Sequence, residues 1–320
     1  MTTDVRAFLV SSIQVLLMTG LMIVLLFVGI RPDPSHYFAG SLLQTQLLET
    51  TPSPRIILVG GSNVAMGLDA ELMQRSLGVP VINDGLHAGL GIAPLRELER
   101  HIHKGDVIIV SLEYGMFSSR DIMEGDRAFL SDWIEYSPDR LQYLSNPLAE
   151  TPGIYVTMLQ RKINRGVNTF LLGGSLDETR GVFSGTKFDE EGDFIGHLDQ
   201  ASVPPRKIPS VPYPVSDLED DIFVFLQDFN QTAREKGAQV YFEAPASRQS
   251  NCEATGKAPL TRFFQTFTER SSIRMLTSLE EVCMPNKYFF DTAYHLNAKG
   301  RELRTKRLIE NLVKVTALSK

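Results

Sequence analysis

The sequence predicts an α/β fold, with a parallel sheet between two layers of helices, preceded by one membrane-spanning helix. From Arg55 onward, short apolar runs alternate with segments of helical periodicity. The run DVIIVSL at 106–112 is apolar almost throughout, as expected for a strand that is covered on both faces. Residues 7–30 contain no charged side chain. These observations place a single α/β domain behind an apolar N-terminal segment.

The N-terminal segment is long enough to span a bilayer. Residues 8–30 would extend roughly 34 Å as a helix, and a bilayer core is about 30 Å thick. A cleavable signal peptide would have a shorter apolar region, and a core helix would keep a polar face. We therefore expect an uncleaved anchor over 1–30, in the inner or plasma membrane. The small bias between Arg6 and Arg31 favours a cytoplasmic N-terminus and a main domain facing the periplasm or cell exterior.

Composition narrows the classes of partner. The chain has 32 Lys and Arg against 38 Asp and Glu, a formal charge of −6, which argues against nucleic acid as the main partner. Two cysteines, Cys252 and Cys283, are too few for a zinc ribbon. They can pair in an oxidising compartment or remain two separate buried thiols, and the sequence leaves both open.

The elements after the anchor follow in order. Residues 31–54, with four prolines, are expected to be a tether, and 55–320 to form the α/β domain. Asp69 is the expected N-terminal cap of a helix at 68–77, and Gly78 is expected to end that helix. A proline in its first turn indicates the start of the next helix, at 94–103. The pattern predicts strands at 55–59, 79–83 and 106–112 and helices at 68–77 and 94–103.

The alternation of strand-like and helix-like segments is lost between about 118 and 214. We expect this stretch to be an irregular insertion. Its acidic stretch at 188–193 lacks calcium-loop spacing and predicts a solvated turn, with carbohydrate contact by Asp193 or His197 as the alternative. Beyond it, a capping box at 216–219 predicts a helix that Gly237 ends. A strand at 239–244 and a last helix over about 297–315 follow. A ligand site is expected at the carboxyl ends of the strands.

The first motif that carries chemistry is VGGSN at 59–63, between a strand and a helix. A serine on such a turn projects from the backbone, and the nearby N–H groups can stabilise developing negative charge. Ser62 is therefore a candidate nucleophile, and a phosphate-binding or purely structural turn is the alternative. Asn63 either positions an acyl donor or caps the helix.

The second motif is FFDTAYHLN at 289–297. A histidine base needs an acid that fixes its tautomer, and Asp291 precedes His295 by four residues. The alternative is that His295 is a polar residue at a helix start and Asp291 a turn former.

Taken together, an early Gly-Ser turn and a late Asp…His before the last helix resemble the SGNH/GDSL hydrolase family over about 55–115 and 239–315. The resemblance implies a flavodoxin-like α/β/α sandwich with Ser62 as nucleophile, His295 as base and Asp291 as its orienting acid. It implies an oxyanion glycine after the second strand, for which Gly85 is the candidate. Where the family has an asparagine after the third strand, this chain has Glu113, and an ionised carboxylate cannot donate a hydrogen bond.

The departures from the family pattern, together with the anchor, resemble its membrane-associated branch, which modifies cell-surface polymers. That resemblance implies acyl-ester chemistry on a cell-surface glycan through an acyl-Ser62 intermediate, with O-acetyl transfer favoured over deacetylation. It also implies a multi-spanning acyltransferase as partner, and neither cofactor nor metal. The alternative is a catalytically silent glycan-binding or assembly protein that partners such an acyltransferase.

Overall fold

A computed structural model of the protein describes residues 3–29, 31–118, 121–171 and 181–316. The helices are α1 (Thr3–Gly29), α2 (Gly40–Thr50), α3 (Ser62–Ala65), α4 (Ala70–Leu77), α5 (Ala93–Leu98), α6 (Asp121–Glu124), α7 (Arg127–Tyr136), α8 (Pro147–Leu171), α9 (Asp220–Glu235), α10 (Gln249–Thr255), α11 (Lys257–Ser271), α12 (Leu279–Val282) and α13 (Ala298–Val315). The strands are β1 (Ile56–Gly60), β2 (Val81–Gly85), β3 (Val107–Ser111), β4 (Gln239–Phe242), β5 (Ser247–Arg248), β6 (Arg274–Met275) and β7 (Cys283–Met284).

Five strands form one parallel sheet in the order β2-β1-β3-β4-β6. The two-residue strands β5 and β7 pair separately. In the main sheet Gly60, the last residue of β1, is in register with Gly85 of β2 and Ser111 of β3. Because parallel strands end at the same edge, the segments that follow these three strands begin side by side.

Helices cover both faces of the sheet. Along β1, Ile57 and Val59 belong to a core cluster with residues of α5, α9 and α11. The alternate residues Ile56 and Leu58 pack with α4 and α13 on the opposite face. The α/β class and the parallel sheet predicted from the alternating pattern are therefore confirmed, and the strands are apolar because neither face meets solvent.

Side-chain caps and a glycine determine where several helices begin and end. The Asp69 side chain accepts the Leu72 N–H at 2.9 Å, and Gly78 ends α4 with φ +71°, as predicted. Asn297 caps α13 by accepting the Gly300 N–H at 3.1 Å. The predicted capping box at 216–219 does not start a helix, because α9 begins at Asp220.

Two expected irregular regions are more ordered than the sequence pattern predicts. Within 31–54, α2 packs on the domain with Leu48 in the core, and Arg140 donates to the Ser41 hydroxyl at 2.7 Å. Apolar side chains between the prolines give this segment a packing face, so it is not a free tether. Within 118–214, α6, α7 and α8 form, and Trp133 of α7 is buried.

Helix α1 is long and apolar enough to cross a membrane. Its stretch Val5–Leu25 has a mean hydropathy of 2.3, and none of it is buried against the rest of the chain. An exposed apolar surface of this length is unfavourable in water and favourable in a bilayer.

Cys252 and Cys283 form a disulfide, with their Cα atoms 6.2 Å apart. The bond joins α10 to β7, which leads into the segment containing Asp291 and His295. Of the two alternatives that the sequence left open, the structure therefore contains the paired one.

Candidate active site

Ser62 is the first residue of α3 and lies directly after the end of β1. The turn requires glycine at position 60, because a Cβ there would lie 2.1 Å from the Ser111 carbonyl oxygen. Without a side chain at Gly60, β1 can run tightly along β3 to its last residue. The nucleophile candidate is thus held at the carboxyl edge of the sheet, where the sequence predicts the ligand site.

Ser62, His295 and Asp291 form one hydrogen-bonded chain. Nε2 of His295 lies 2.8 Å from Oγ of Ser62, across 233 positions of sequence. Nδ1 of His295 lies 2.8 Å from Oδ1 of Asp291. Because a carboxylate only accepts, Nδ1 carries the proton, and Nε2 of the neutral ring is free to accept the Ser62 proton. Chemically, this arrangement can activate a serine for attack on a carbonyl carbon.

The loop before α13 fixes the histidine. The His295 N–H donates to Oγ1 of Thr292 at 3.0 Å, and its carbonyl accepts the Phe290 N–H at 2.8 Å. These bonds turn the chain back on itself between Asp291 and His295. The four-residue spacing therefore brings the two side chains into contact.

Glu113 lies beside Ser62, just beyond the end of β3. Its Oε1 is 3.4 Å from the Ser62 Oγ, and its carboxyl group also accepts the Asn63 N–H. Burial raises the pKa of the Glu113 carboxyl, and the His295 charge, these two hydrogen bonds and Arg304 oppose that rise. A carboxyl group therefore lies next to the candidate nucleophile at the end of β3.

Asn63 is neither a helix cap nor a group facing a cleft. Its side chain is fully buried, and Nδ2 donates to the Ser111 hydroxyl at 3.0 Å. The N-cap of α3 is Gly61. The interpretations of Asn63 as a cap and as a substrate contact are both wrong in this structure, because α3 turns its side chain inward onto β3.

Arg304 of α13 completes this buried group. It donates to the Asn63 carbonyl oxygen and, at 2.9 Å, to the Ser111 hydroxyl. Its Nε donates to Oε1 of Glu243 at 2.8 Å, and both side chains are almost fully buried. The turn that carries Ser62 is thereby tied to β3, to the segment after β4 and to the last helix.

Gly85 does not supply an oxyanion donor. Its N–H donates to the Asn83 Oδ1 at 2.9 Å, and a Cβ at this position would lie 2.5 Å from the Ala65 nitrogen. The glycine is required because β2 packs directly against α3. The prediction of Gly85 as the oxyanion residue is therefore wrong.

Ala88, three residues further on, is better placed. A Cβ on Gly61 would lie 3.0 Å from the Ala88 nitrogen, so this N–H lies next to the Ser62 turn. Within the described parts of the chain, neither the Ala88 nor the Ser62 N–H has a hydrogen-bond acceptor. These two groups remain available to a carbonyl oxygen bound at Ser62.

A cavity of about 340 Å³ opens beside these residues. It is lined by Ala88, Glu113, Met116, Tyr213 and Tyr294, among others. The lining residues come from segments that are far apart in sequence, and Tyr213 lies at the end of the predicted insertion. The lining is mostly apolar, which suits a short acyl group more than a charged one.

Asp193 and His197 are buried and hold the fold together. Asp193 accepts the Ala70 N–H at 2.8 Å and the Asn83 amide at 2.6 Å, and it pairs with Arg301. The prediction of a solvated acidic turn is therefore wrong for Asp193. Contact of either residue with carbohydrate is excluded, since both are fully buried.

The sequence analysis missed Arg304, Glu243 and Ala88. In the sequence, Arg304 is one of several lysines and arginines in the last predicted helix, and Glu243 is the one charged residue of the predicted strand at 239–244. A single charge within such a strand is a signal, because it needs a buried partner. Ala88 carries no such signal, since only its main-chain N–H is used.

No protein-family model matches this sequence, and no curated protein matches it.

Proposed function

We propose that the protein is a membrane-anchored serine acyl-ester enzyme of the SGNH type, acting on a cell-surface glycan. The observation that supports this most strongly is the hydrogen-bonded chain from Asp291 through His295 to Ser62. The strand order β2-β1-β3-β4-β6 with helices on both faces is compatible with a flavodoxin-like sandwich. In such folds ligands bind at the carboxyl ends of the strands, where Ser62 lies.

The reaction proceeds in two acyl-transfer steps. His295 Nε2 takes the Ser62 proton as Oγ attacks the ester carbonyl carbon, and the carbonyl electron pair moves onto oxygen. The Ser62 and Ala88 N–H groups are available to that oxygen. The intermediate collapses to acyl-Ser62, and the leaving alkoxide takes the proton from His295. In the second step His295 takes a proton from a sugar hydroxyl or from water as its oxygen attacks the acyl-Ser62 carbonyl carbon, and Ser62 leaves with that proton. A sugar acceptor gives acyl transfer, and water gives hydrolysis.

The apolar helix and the disulfide support the proposed location. Val5–Leu25 would anchor the chain in the inner or plasma membrane. The Cys252–Cys283 bond fits an oxidising compartment, so the domain would face the periplasm or cell exterior. Protease added to intact cells or spheroplasts should digest the domain and leave α1 protected. Protection of the whole chain would contradict this orientation.

We propose O-acetyl transfer ahead of deacetylation because the anchor holds the site at a membrane. A multi-spanning acyltransferase partner would bring the acyl group across, since one helix cannot form a passage. Cells carrying Ser62→Ala should then have fewer acetyl esters on their surface glycan than wild type. More esters would indicate deacetylation instead.

A fluorophosphonate probe tests the enzyme class directly. The full-length chain in detergent should be labelled at Ser62, and Ser62→Ala should abolish labelling. Ser216→Ala, at an exposed serine far along the chain, is the matched control and should be labelled like wild type. Absence of label on folded wild-type protein would favour the silent glycan-binding alternative, in which Glu113 replaces the family's asparagine.

A further inference from the structure

Glu113 lies beside the reacting oxygen, where its carboxyl group can accept a hydrogen bond from the Ser62 hydroxyl or, when protonated, donate one to it. Its Oε1 is 3.4 Å from Ser62 Oγ, and its carboxyl group accepts the Asn63 N–H. One carboxyl oxygen is thus anchored to the main chain after Ser62. The Asn63 N–H therefore helps to hold the Glu113 carboxyl group beside Ser62.

Counting protons around Ser62 shows what Glu113 must contribute. In the neutral His295 that the proposed mechanism requires, Nδ1 donates to Asp291 and Nε2 accepts the single hydroxyl proton of Ser62, whose oxygen is 2.8 Å away against 3.4 Å for Glu113 Oε1. No proton of Ser62 is then left for Glu113. An ionised Glu113 would place a negative oxygen against a serine lone pair. A neutral Glu113 can instead donate its own proton to Oγ.

Charged neighbours do not force Glu113 to ionise. Among the described residues, no lysine or arginine nitrogen lies within 4 Å of its carboxyl group. The charge of Arg304 acts on Glu113 only as the smallest of the causes that lower its pKa, and Arg304 is already paired with Glu243. The other charge that favours ionisation of Glu113 is that of a protonated His295 ring.

The Glu113 charge also acts on the pKa of three buried tyrosines. Burial raises the pKa of Tyr213 to about 12, and it raises the pKa of Tyr37 and Tyr294 further. All three hydroxyls are therefore uncharged at neutral pH and offer no cation. Burial likewise raises the pKa of Glu113, in the direction of the neutral form.

We propose that Glu113 works as a neutral carboxyl group, donating to Ser62 Oγ at rest and to the substrate's carbonyl oxygen as that oxygen becomes negative. This inference rests on the proposed acyl-ester function. Glu113 keeps its proton throughout, so the electron and proton balance of the two steps is unchanged. It thereby takes over the part that the asparagine plays in the resembled family.

Two substitutions separate a donor from an anion. Glu113→Gln preserves the shape and supplies a permanent N–H donor, whereas Glu113→Ala supplies none. The readout is the second-order rate of fluorophosphonate labelling of the full-length chain, measured from pH 5 to 10. Loss of one oxyanion donor typically slows such a step by about 10²–10³-fold.

We expect Glu113→Ala to be labelled about 10²–10³-fold more slowly than wild type and Glu113→Gln to stay within about tenfold of it. The wild-type rate should fall at alkaline pH as Glu113 ionises, and Glu113→Gln should lack that fall. If Glu113→Gln is as slow as Glu113→Ala, the carboxylate itself is needed and the inference is wrong. A Glu113→Ala rate equal to wild type would also overturn it.

An infrared difference spectrum keeps this test independent of the proposed function. Wild type minus Glu113→Gln at pH 7 should contain the C=O band of a protonated carboxyl group. The band without any labelling of wild type would contradict the enzyme proposal and leave a neutral Glu113. A carboxylate band in its place would overturn this inference even if Ser62 is labelled.

Discussion

Arg304 donates a hydrogen bond to the carbonyl oxygen of Asn63, the residue that follows Ser62, across 241 positions of sequence. This bond connects the last helix to the turn that carries the candidate nucleophile. The same helix begins just after His295. Both ends of the Ser62–His295 contact are therefore positioned by α13, and its guanidinium is compensated inside the core by Glu243.

Replacing Arg304 by methionine should destabilise the protein and slow the reaction of Ser62. Breaking one member of a buried ion pair typically costs about 3–5 kcal/mol, because Glu243 is left as an uncompensated buried charge. The free energy of unfolding, from urea titration in detergent, measures the first effect. The fluorophosphonate labelling rate of the folded fraction measures the second.

A double variant separates stability from positioning. Arg304→Met with Glu243→Gln removes the uncompensated charge, so it should recover part of the stability but not the labelling rate. Lys306→Met, on the exposed face of the same helix, is the matched control and should change stability by less than about 1 kcal/mol. Wild-type labelling of folded Arg304→Met would show that Arg304 does not position the turn.

Changes at His295 and Asp291 should lower the reactivity of Ser62 without unfolding the protein. His295→Ala removes the base, and Asp291→Asn replaces the acceptor-only carboxylate by an amide whose NH2 group can hold Nδ1 in its unprotonated form. We expect each to slow labelling by about 10²–10⁴-fold. Circular dichroism should show a folded chain in both cases. Unchanged labelling of Asp291→Asn would mean that the contact with His295 is only structural.

The sequence predicted those features that depend on neighbouring residues. Asp69, predicted as a helix cap, does cap α4, and α13 begins within one residue of the predicted start at about 297. The strands β1 to β4 follow from continuous apolar runs. The contact between Asp291 and His295 lies within one loop, and its four-residue spacing was visible in the sequence.

Features that depend on packing between distant segments were not predictable in the same way. Gly85 was expected to be the oxyanion glycine, but its main-chain N–H donates to the Asn83 side chain, and α3 leaves no room for a Cβ at this position. Asp193 appeared to be one of several surface acids, yet Arg301 and two donors neutralise it inside the core. In both cases the chemical role is set by partners that no local pattern reveals.

A methyl group at Gly85 should destabilise the fold. The added Cβ would lie 2.5 Å from the Ala65 nitrogen and 2.6 Å from the Val64 Cβ, so α3 must move away from β2. We expect Gly85→Ala to lower the free energy of unfolding by about 1–3 kcal/mol. Gly115→Ala is the matched control, because its new Cβ would meet only Pro214, at 3.9 Å. Equal stability of both variants would contradict the packing described for Gly85.

His197 should make the protein less stable in acid. The ring is fully buried, Nε2 lies 2.9 Å from the Leu296 carbonyl oxygen, and Nδ1 has no partner among the described residues. Burial lowers the pKa of His197 from 6.5 to about 4. Between these values the unfolded chain binds a proton that the folded chain does not, so stability falls as the pH falls through that window and is retained in full above it.

The contribution lost by pH 4 is about 3 kcal/mol, since each unit of pKa difference corresponds to about 1.4 kcal/mol. His197→Gln keeps a donor for Leu296 and removes the titrating ring. The urea midpoint of wild type should therefore fall more between pH 7.5 and 4.5 than that of the variant, with each protein compared with itself. An equal fall in both would mean that His197 is protonated in the folded protein, and that its site opens to water before the chain unfolds.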